Sequence, residues 1–322
     1  MKESLIYGPV PSRRLGLSLG VDMVPYKTCT FDCVYCQIGR TPATTIERRP
    51  YIEADRIMAA LEEKINAGVR ADFITLGGSG EPTLNSEIGQ VIRRIKYLTD
   101  IPVAVLTNGA LLSEAAVQAA ISAADLVLPS IDAPDEKTFH EINRPHPAMD
   151  YQLMVDGLAG FSTIYSGRIW LEIFFIQEKN TSDEALAGFR SLIQAIDPDR
   201  VHLNTAVRPP AESHVKAVSE DQMETLARML GDRAEVIAEF PQSAKSGKQS
   251  ENRTAIVDEI LDMVSRRPCT LTDITAGLGL HRTEVVKYLE ELRRDDRVQT
   301  RQTGEHTYYL AAIGPDGSLH ST

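Results

Sequence analysis

Residues 17–36 have the sequence LSLGVDMVPYKTCTFDCVYC, in which an apolar run is joined to three closely spaced cysteines. The run at residues 17–24 has the composition of a buried strand. Cys29, Cys33 and Cys36 follow it after a short loop, and their CxxxCxxC spacing lets three thiolates converge on one metal centre. The stretch therefore predicts a first strand that leads directly into a metal or redox site.

The four cysteines of the chain divide into this triplet and a distant Cys269. A closed structural zinc site requires four ligands, and the first histidine of the sequence is His140. An iron–sulfur cluster accommodates three local cysteines better, because one iron can take a ligand from outside the protein. Cys269 is expected to pack as a small apolar residue. The cysteine pattern thus favours a metal centre over a disulfide framework.

Short apolar runs alternate with amphipathic stretches up to about residue 240. The runs are rich in β-branched and aromatic residues and are bounded by turn residues, as buried parallel strands are. After the first run, five more follow, at residues 73–76, 103–106, 126–128, 169–176 and 201–203. About six strand–helix units fall short of the eight in a complete barrel. The pattern predicts an α/β fold, an open partial (βα)6 barrel.

The composition changes beyond residue 240. Residues 241–252 are small and polar without apolar anchors, which indicates a linker. Residues 253–312 then show three apolar helical faces followed by two alternating segments, which predict three helices and a β-hairpin. That combination describes a winged helix-turn-helix domain. We expect a barrel domain at 1–240, a linker at 241–252, the winged-helix domain at 253–312 and a disordered tail at 313–322.

The charge balance restricts the partners. The formal net charge of −11 excludes a basic surface covering the whole chain, although it permits a local basic patch. Residues 251–322 contain nine basic and twelve acidic residues, so DNA binding by the winged-helix domain is disfavoured but not excluded, and docking of a protein or substrate is preferred. No apolar run approaches a membrane span, and the N-terminus lacks a signal-peptide core. We expect a cytoplasmic protein without a membrane partner.

The cysteine triplet resembles the cluster-binding loop of the radical S-adenosylmethionine (SAM) superfamily, including an aromatic residue, Tyr35, before the third cysteine. The resemblance covers about residues 5–212. It implies that Cys29, Cys33 and Cys36 hold three irons of a 4Fe–4S cluster and that SAM chelates the fourth. It also implies an oxidoreductase that cleaves SAM reductively to a 5′-deoxyadenosyl radical for hydrogen abstraction. A low-potential donor such as flavodoxin or ferredoxin would supply the electron.

A glycine-rich stretch at residues 76–84 ends the second predicted strand and lets backbone approach a ligand closely. A tight turn is an alternative explanation, whereas a phosphate loop is disfavoured because no Lys-Ser/Thr follows. The stretch is similar to the glycine-rich motif of the superfamily, with Ser79 inserted. The resemblance implies that four of its residues contact SAM: Gly77, Gly78, Gly80 and Glu81.

Polar residues follow the next two predicted strands. Asn108 lies in a Thr-Asn-Gly segment similar to one in the superfamily, and Ser130 and Asp132 follow the fourth strand. In the superfamily, polar groups at these strand ends hold the ribose or carboxylate of SAM, and parallel α/β folds bind ligands at this edge. The alternative is that the side chains only cap the following turns. Together with Tyr35, these residues complete the SAM site that the resemblance predicts.

Charged residues also lie near the predicted strand ends. Glu172 interrupts an apolar strand and requires a partner if it is buried. Arg208 follows the sixth strand, where it could clamp a carboxylate or phosphate or form a structural ion pair. Arg13, Arg14 and Arg144 lie in turn-rich segments that could face the open barrel, although solvent exposure is the more common fate of such residues. The sequence leaves these alternatives open.

A closer similarity, carried by residues 7–21, 78–84 and 142–145, links the chain to a radical SAM group related to tRNA wyosine-base synthases. Those synthases carry an additional N-terminal cysteine set for a second cluster, whereas no cysteine precedes Cys29 here. The winged-helix domain is a further departure. tRNA modification therefore stands as an alternative to hydrogen abstraction from an unidentified substrate, for which tRNA, a peptide, a protein and a small metabolite all stay open. The non-enzyme alternative is a regulator in which the cluster controls DNA binding.

Overall fold

The computed structural model describes residues 5–238, 253–278, 280, 282–304 and 306–312. In the first range, strands alternate with helices along the chain. The strands are β1 Ile6–Ser12, β2 Gly16–Val21, β3 Phe73–Leu76, β4 Val103–Thr107, β5 Leu126–Pro129, β6 Arg168–Phe175, β7 Arg200–Thr205 and β8 Ala234–Val236. The helices are α1 Ala54–Asn66, α2 Ile88–Leu98, α3 Ala115–Ile121, α4 Glu136–Ile142, α5 Tyr151–Ile164, α6 Asp183–Ile196 and α7 Glu220–Leu230.

The eight strands form one sheet in chain order, with β1 and β8 at its two edges. β1 pairs antiparallel with β2, and every later neighbour pairs in parallel, from Ser18 opposite Phe73 to Leu203 opposite Val236. The predicted α/β fold with a parallel sheet is confirmed, and the six predicted strands correspond to β2–β7. The predicted count omits β1 and β8. β1 contains two prolines, which interrupt the apolar pattern by which a strand is recognised, and β8 is only three residues long.

The sheet is buried because its central strands are apolar on both faces, and the helices cover it with apolar stripes. In α1, Ile57, Met58 and Leu61 are buried at helical spacing, and Gly68 follows the helix with a φ of 80°. The parallel strands β2–β7 all end at the same edge of the sheet. The loops that carry the cysteines and the glycine-rich stretch therefore meet there.

A second group of elements follows at the C-terminal end: α8 Arg253–Arg266, β9 Cys269–Thr270, α9 Leu271–Leu278, α10 Arg282–Arg294, β10 Val298–Thr303 and β11 His306–Ala311. The three predicted helices and the hairpin are present, and β9 is an addition that makes an antiparallel sheet in the order β10-β11-β9. These elements have their own apolar core, in which Cys269 is fully buried. The predicted linker at 241–252 and tail at 313–322 lie outside the described residues, so the domain division stays a prediction.

The C-terminal elements dock on the edge of the large sheet formed by β1. Val10 of β1 packs against the C-terminal apolar core. Arg266, the last residue of α8, forms an ion pair with the buried Asp22 at the end of β2, and its guanidinium lies 4.1 Å from the centre of the Tyr7 ring. These contacts place the end of α8 beside the loop that follows β2.

A second set of contacts joins the two units near β7. Arg208 forms an ion pair with Asp273 of α9, with the two atoms 3.0 Å apart. The Tyr308 hydroxyl donates a hydrogen bond to the carbonyl of Val207. Among the helices in the described ranges, none has the length and apolar character needed to cross a membrane.

Candidate functional site

A cavity of about 370 Å³ lies between the strand ends and the C-terminal helix α8. Its volume falls in the range of small-molecule pockets. The walls come from the loops after β2 and β3, from residues of β6 and β7, and from α8. Cys29, Cys33 and Cys36 all line it. The structure thus brings the predicted ligand triplet to a cavity at the edge of the sheet where parallel α/β folds bind ligands.

The cysteine loop is held by the segment that follows α4. The backbone amide of Asp32 donates to the carbonyls of Asn143 and Arg144, at 3.0 and 3.2 Å. The amide of Val34 donates to the carbonyl of Ile142 at 2.9 Å. The 142–145 segment, singled out in the sequence only for its family similarity, therefore clamps the backbone on both sides of Cys33.

A nitrogen donor lies beside each of the three cysteine sulfurs. The pairs are Asn108 Nδ2 to Cys29 Sγ at 3.6 Å, Asn143 Nδ2 to Cys33 Sγ at 3.4 Å and Lys27 Nζ to Cys36 Sγ at 3.4 Å. Such donors stabilise negative charge on sulfur and set the properties of a cluster held there. This arrangement suits thiolates that bind metal rather than thiols that merely fill space.

The electrostatics of the triplet point the same way. Burial raises the pKa of the Cys29 thiol to about 12, with the charge of Glu81 as the second cause. Burial, and then the charge of Asp132, raises the pKa of Cys33 well above its ordinary value. These thiolates therefore need a cation to form, and metal binding supplies one. Within the described ranges, no three His, Cys, Asp or Glu side chains lie close enough together to bind one metal ion. The wider spacing of the three cysteines is compatible with a multi-iron cluster, in which each thiolate binds a different iron.

The glycine-rich loop brings backbone to the cavity wall. Gly78, Ser79 and Gly80 line the cavity, whereas Gly77 does not. A Cβ on Gly78, whose φ is 118°, would lie 2.5 Å from the hydroxyl of Tyr7. A Cβ on Gly80 would overlap a backbone carbonyl. Neither position has room for a side chain, because protein atoms of β1 and of the loop after β2 fill the space; the two glycines therefore let the loop pack closely beside the cysteine loop at the cavity wall.

Glu81 is buried and its carboxylate accepts four hydrogen bonds from the protein. Thr83 donates from its amide at 3.0 Å and its hydroxyl at 2.6 Å, Thr107 from its hydroxyl at 2.7 Å, and Asn108 from its amide at 2.7 Å. Burial raises the pKa of Glu81, and these donors oppose the shift. The side chain does not line the cavity. It joins the glycine-rich loop to Asn108, and its direct contact with SAM stays a prediction.

Asp132 plays a comparable supporting part. It is buried and accepts hydrogen bonds from the Tyr35 hydroxyl, from Asn143 Nδ2 at 2.8 Å and from the amide of Phe174 at 2.9 Å. The Tyr35 ring lines the cavity and stacks on Phe174 with the ring centres 3.9 Å apart. Asp132 and Ser130 lie behind this wall rather than in it. Burial raises the pKa of Asp132, while Tyr35 and Asn143 oppose the shift.

Most of the charged residues whose orientation the sequence did not decide face the cavity. Glu172 forms an ion pair with Arg14, and it also accepts from Asn204 Nδ2 at 2.9 Å. Arg13 donates to Asn204 Oδ1 at 3.1 Å. Arg208 is buried and forms a structural ion pair, yet it lines the cavity as well. The solvent-facing alternative for Arg13 and Arg14 is therefore wrong.

Sequence reasoning missed five residues of the site: Lys27, Asn143, Asp22, Arg266 and Arg267. Lys27, two residues before the triplet, and Asp22, at a strand end, carried a positional signal. Asn143 lay inside a segment already noted for family similarity. Arg266 and Arg267 offered no signal, because only the docking of α8 brings them to the cavity.

Comparisons with known proteins fit this architecture. The sequence profile described as the radical SAM superfamily matches residues 23–206. A protein of Helicobacter pylori strain J99 named UPF0026 protein is 31% identical over 317 residues, which cover 96% of this chain and 99% of the relative. A protein of Brachyspira hyodysenteriae named GTPase Obg is 35% identical over 300 residues, but the chain spans only 44% of its length. The solved structure titled "Structure of TYW1 with a lysine-pyruvate adduct bound" is 18% identical with a TM-score of 0.51, covering 71% of this chain and 76% of that one, which shows a shared fold alone.

Proposed function

Because this chain belongs to the radical SAM superfamily, we propose that it is an enzyme that cleaves S-adenosylmethionine reductively at a 4Fe–4S cluster and couples the cleavage to hydrogen abstraction from a substrate. The superfamily uses this cluster and SAM as its cofactors. One observation carries the proposal. Three cysteine thiols, each beside its own nitrogen donor, share a cavity with a glycine-rich backbone loop.

The residues present fit the cluster. Cys29, Cys33 and Cys36 would hold three irons. Cys269 is not a fourth ligand, because it is buried in the C-terminal core, where its thiol lies 3.4 Å from the carbonyl of Arg267. One iron is thereby left for the amino and carboxylate groups of SAM. When bound, the cluster and SAM supply the one-electron chemistry that removes a hydrogen atom from the substrate.

The protein itself has three tasks in this proposal. Lys27, Asn108 and Asn143 donate to the sulfurs and compensate their negative charge. Gly78, Ser79 and Gly80 would border SAM, because they line the cavity beside the cysteine loop. The Tyr35 ring, fixed by Asp132, forms the facing wall. The α8 helix covers the cavity, which excludes water from a reactive intermediate.

We further propose that the C-terminal elements form a winged-helix domain that acts as a wall of this cavity. The order of three helices and a three-stranded antiparallel sheet supports the assignment. The α10 helix carries exposed Arg282, Lys287 and Arg293 interleaved with acidic residues, which is a poor DNA-binding face. The contacts of Arg266 and Arg208 support a structural role instead.

The substrate and electron donor belong to the proposal as classes only. A low-potential flavodoxin or ferredoxin would reduce the cluster. A wyosine-type tRNA modification and a peptide or protein substrate remain the alternatives for the organic reaction.

The test is anaerobic reconstitution with iron and sulfide, followed by dithionite and SAM. We expect 5′-deoxyadenosine to form with the wild-type protein and with Cys269→Ala, whose cysteine lies outside the cavity. Cys33→Ala should lose both the cluster absorbance and the product. An intact cluster without 5′-deoxyadenosine would refute the enzyme. A cluster-dependent shift of a DNA fragment in the same preparation would instead favour the regulator.

A further inference from the structure

We propose that Lys27 sets the reduction potential of the cluster by holding its ammonium group against the sulfur of Cys36, which favours the reduced state. The inference rests on the proposed function, because it requires a cluster at the three cysteines. It deepens that function by assigning to one side chain the control over how readily the cluster accepts an electron. Of the three nitrogen donors beside the sulfurs, Lys27 is the charged one, since Asn108 and Asn143 are neutral amides.

Lys27 is fixed in place through both its backbone and its side chain. It is buried, and its backbone amide donates to the carbonyl of Ser79 in the glycine-rich loop at 2.7 Å. Its ammonium group donates to the carbonyl of Gly39 and lies 3.4 Å from the sulfur of Cys36. The amide of Gly39 in turn donates to the carbonyl of Cys36 at 3.2 Å. The side chain therefore reaches from the start of the cysteine loop to the turn that ends it.

The backbone conformation of Lys27 is one that lysine rarely adopts. Its φ of 61° lies in the left-handed region, where glycine and asparagine are the favoured residues. Such conformations persist where the surrounding structure enforces them, and they cluster at functional sites. A glycine here would relieve the backbone but would remove the ammonium group. The position thus combines an unfavourable backbone with a buried charge, which indicates that the charge is what the position supplies.

The ammonium group has a partner of opposite charge only when Cys36 is a thiolate. Within the part of the chain that the structure describes, Lys27 forms no ion pair with a carboxylate, and its side-chain partners are the Gly39 carbonyl and the Cys36 sulfur. A buried charge is expected to be paired, because an unpaired one is costly. A metal-bound Cys36 supplies the missing negative charge. The arrangement therefore fits a cluster ligand better than a free thiol.

The sign of the effect follows from the charge that reduction adds. One electron brings one negative charge to the cluster, and a nearby cation stabilises the reduced state more than the oxidised state. Hydrogen bonds to the sulfurs and the net charge around a cluster both set its potential. Lys27 contributes a donor and a positive charge at the same sulfur. Its presence should therefore raise the reduction potential.

Two buried carboxylates act against this effect, because each lies one residue behind a sulfur donor. Asn143 donates from Nδ2 to Asp132 at 2.8 Å as well as to its cysteine sulfur. The backbone amide of Asn108 donates to Glu81 at 2.7 Å, while its side chain faces another of the sulfurs. Negative charge at these two positions makes the cluster harder to reduce. The charge of Lys27 offsets part of that penalty.

The test is an anaerobic redox titration of the full-length, reconstituted protein without SAM, followed by electron paramagnetic resonance of the reduced cluster. Lys27→Met keeps the length of the side chain and removes its charge. We expect the ratio of reduced to oxidised cluster at a fixed potential to fall about tenfold in this variant, a shift of about 59 mV for one electron. Lys27→Arg retains the charge and should stay closer to the wild type. Lys137→Met, at an exposed site on α4, should leave the potential unchanged.

A second variant separates the charge from the backbone conformation. Lys27→Asn places a residue that tolerates the left-handed region at this position, and its shorter side chain carries no charge. We expect its potential to fall in the same direction as that of Lys27→Met, and its urea midpoint without the cluster to stay near that of the wild type. Loss of the cluster from both variants would overturn the proposal, because Lys27 would then serve cluster assembly.

The absence of SAM from the titration distinguishes this role from a direct contact with the cofactor. If both uncharged variants keep the wild-type potential and only bind SAM more weakly, Lys27 holds the carboxylate of SAM and the proposal is overturned. An equal shift in Lys137→Met would overturn it as well. A wild-type protein that shows the expected shifts but forms no 5′-deoxyadenosine would refute the proposed function alone, whereas a wild-type protein that binds no cluster would refute both.

Discussion

The ion pair between Asp22 and Arg266 should couple the C-terminal unit to the cysteine-bearing sheet. Asp22 is 6% exposed and the Arg266 side chain 13%. Burial raises the pKa of Asp22, and the guanidinium of Arg266 opposes this shift. Asp22→Asn keeps an oxygen for the amide of Ser79, which donates to Oδ1 at 3.0 Å, but it removes the charge that faces Arg266.

The expected loss of stability in Asp22→Asn depends on the partners that Arg266 keeps. Breaking a buried ion pair costs about 3–5 kcal/mol, because the remaining charge is uncompensated. Arg266 keeps a second carboxylate, Asp262, at 3.1 Å, so the loss should approach that of one charge-assisted hydrogen bond, about 1.5–3 kcal/mol. We therefore expect the free energy of unfolding to fall by about 2 kcal/mol in Asp22→Asn.

A double-mutant cycle in urea measures this coupling. Asp22→Asn and Arg266→Gln should show an interaction energy of about 2 kcal/mol when combined. The matched control is the exposed pair of Asp55 and Arg94, at 2.6 Å, with Asp55 88% exposed, where less than about 1 kcal/mol is expected. A coupling in the buried pair no larger than in the exposed pair would refute the docking argument.

The remaining predictions concern the glycine-rich loop. Gly80→Ala would press its Cβ into the carbonyl of Thr28, so we expect about 1–3 kcal/mol of destabilisation in urea and loss of SAM binding by calorimetry. Gly160→Ala in α5, where the added Cβ meets nothing, should instead stabilise by up to about 1 kcal/mol; equal effects would contradict the fit. Glu81→Gln should turn an amide donor toward the amide of Asn108 and cost about 1–3 kcal/mol at neutral pH, measured by urea unfolding. Because burial raises the pKa of Glu81, its protonated form favours the folded state. The wild-type advantage over Glu81→Gln should therefore shrink as the pH rises through the raised pKa, and a growing advantage would show the opposite shift.

Much of the sheet follows from local pattern, because buried parallel strands are continuous apolar runs. The run at 73–76 coincides with β3, and the alternation of strands and helices fixes the α/β class. β1 escaped because Pro9 and Pro11 interrupt its pattern and it pairs antiparallel at an edge. β8 escaped because three partly exposed residues give no periodic signal.

The sequence predicted where the candidate site lies, but not which of its residues line the cavity and which support those residues from behind. The cysteine spacing and the glycine cluster identified residues that line the cavity. Glu81 and Asp132 occupy strand-end positions as expected, yet their carboxylates turn toward protein donors, and sequence position does not fix that direction. Arg266 meets Asp22 across 244 positions, so only the tertiary fold reveals their contact.

The central claim is that Cys29, Cys33 and Cys36 hold a 4Fe–4S cluster with one iron open to SAM. Electron paramagnetic resonance of the dithionite-reduced, reconstituted protein tests it directly. We predict the signal of a single reduced cluster that changes shape when SAM is added, in the wild type and in Cys269→Ala alike, and that is absent in Cys33→Ala. A cluster signal that SAM leaves unchanged, or one that survives in Cys33→Ala, would contradict the account.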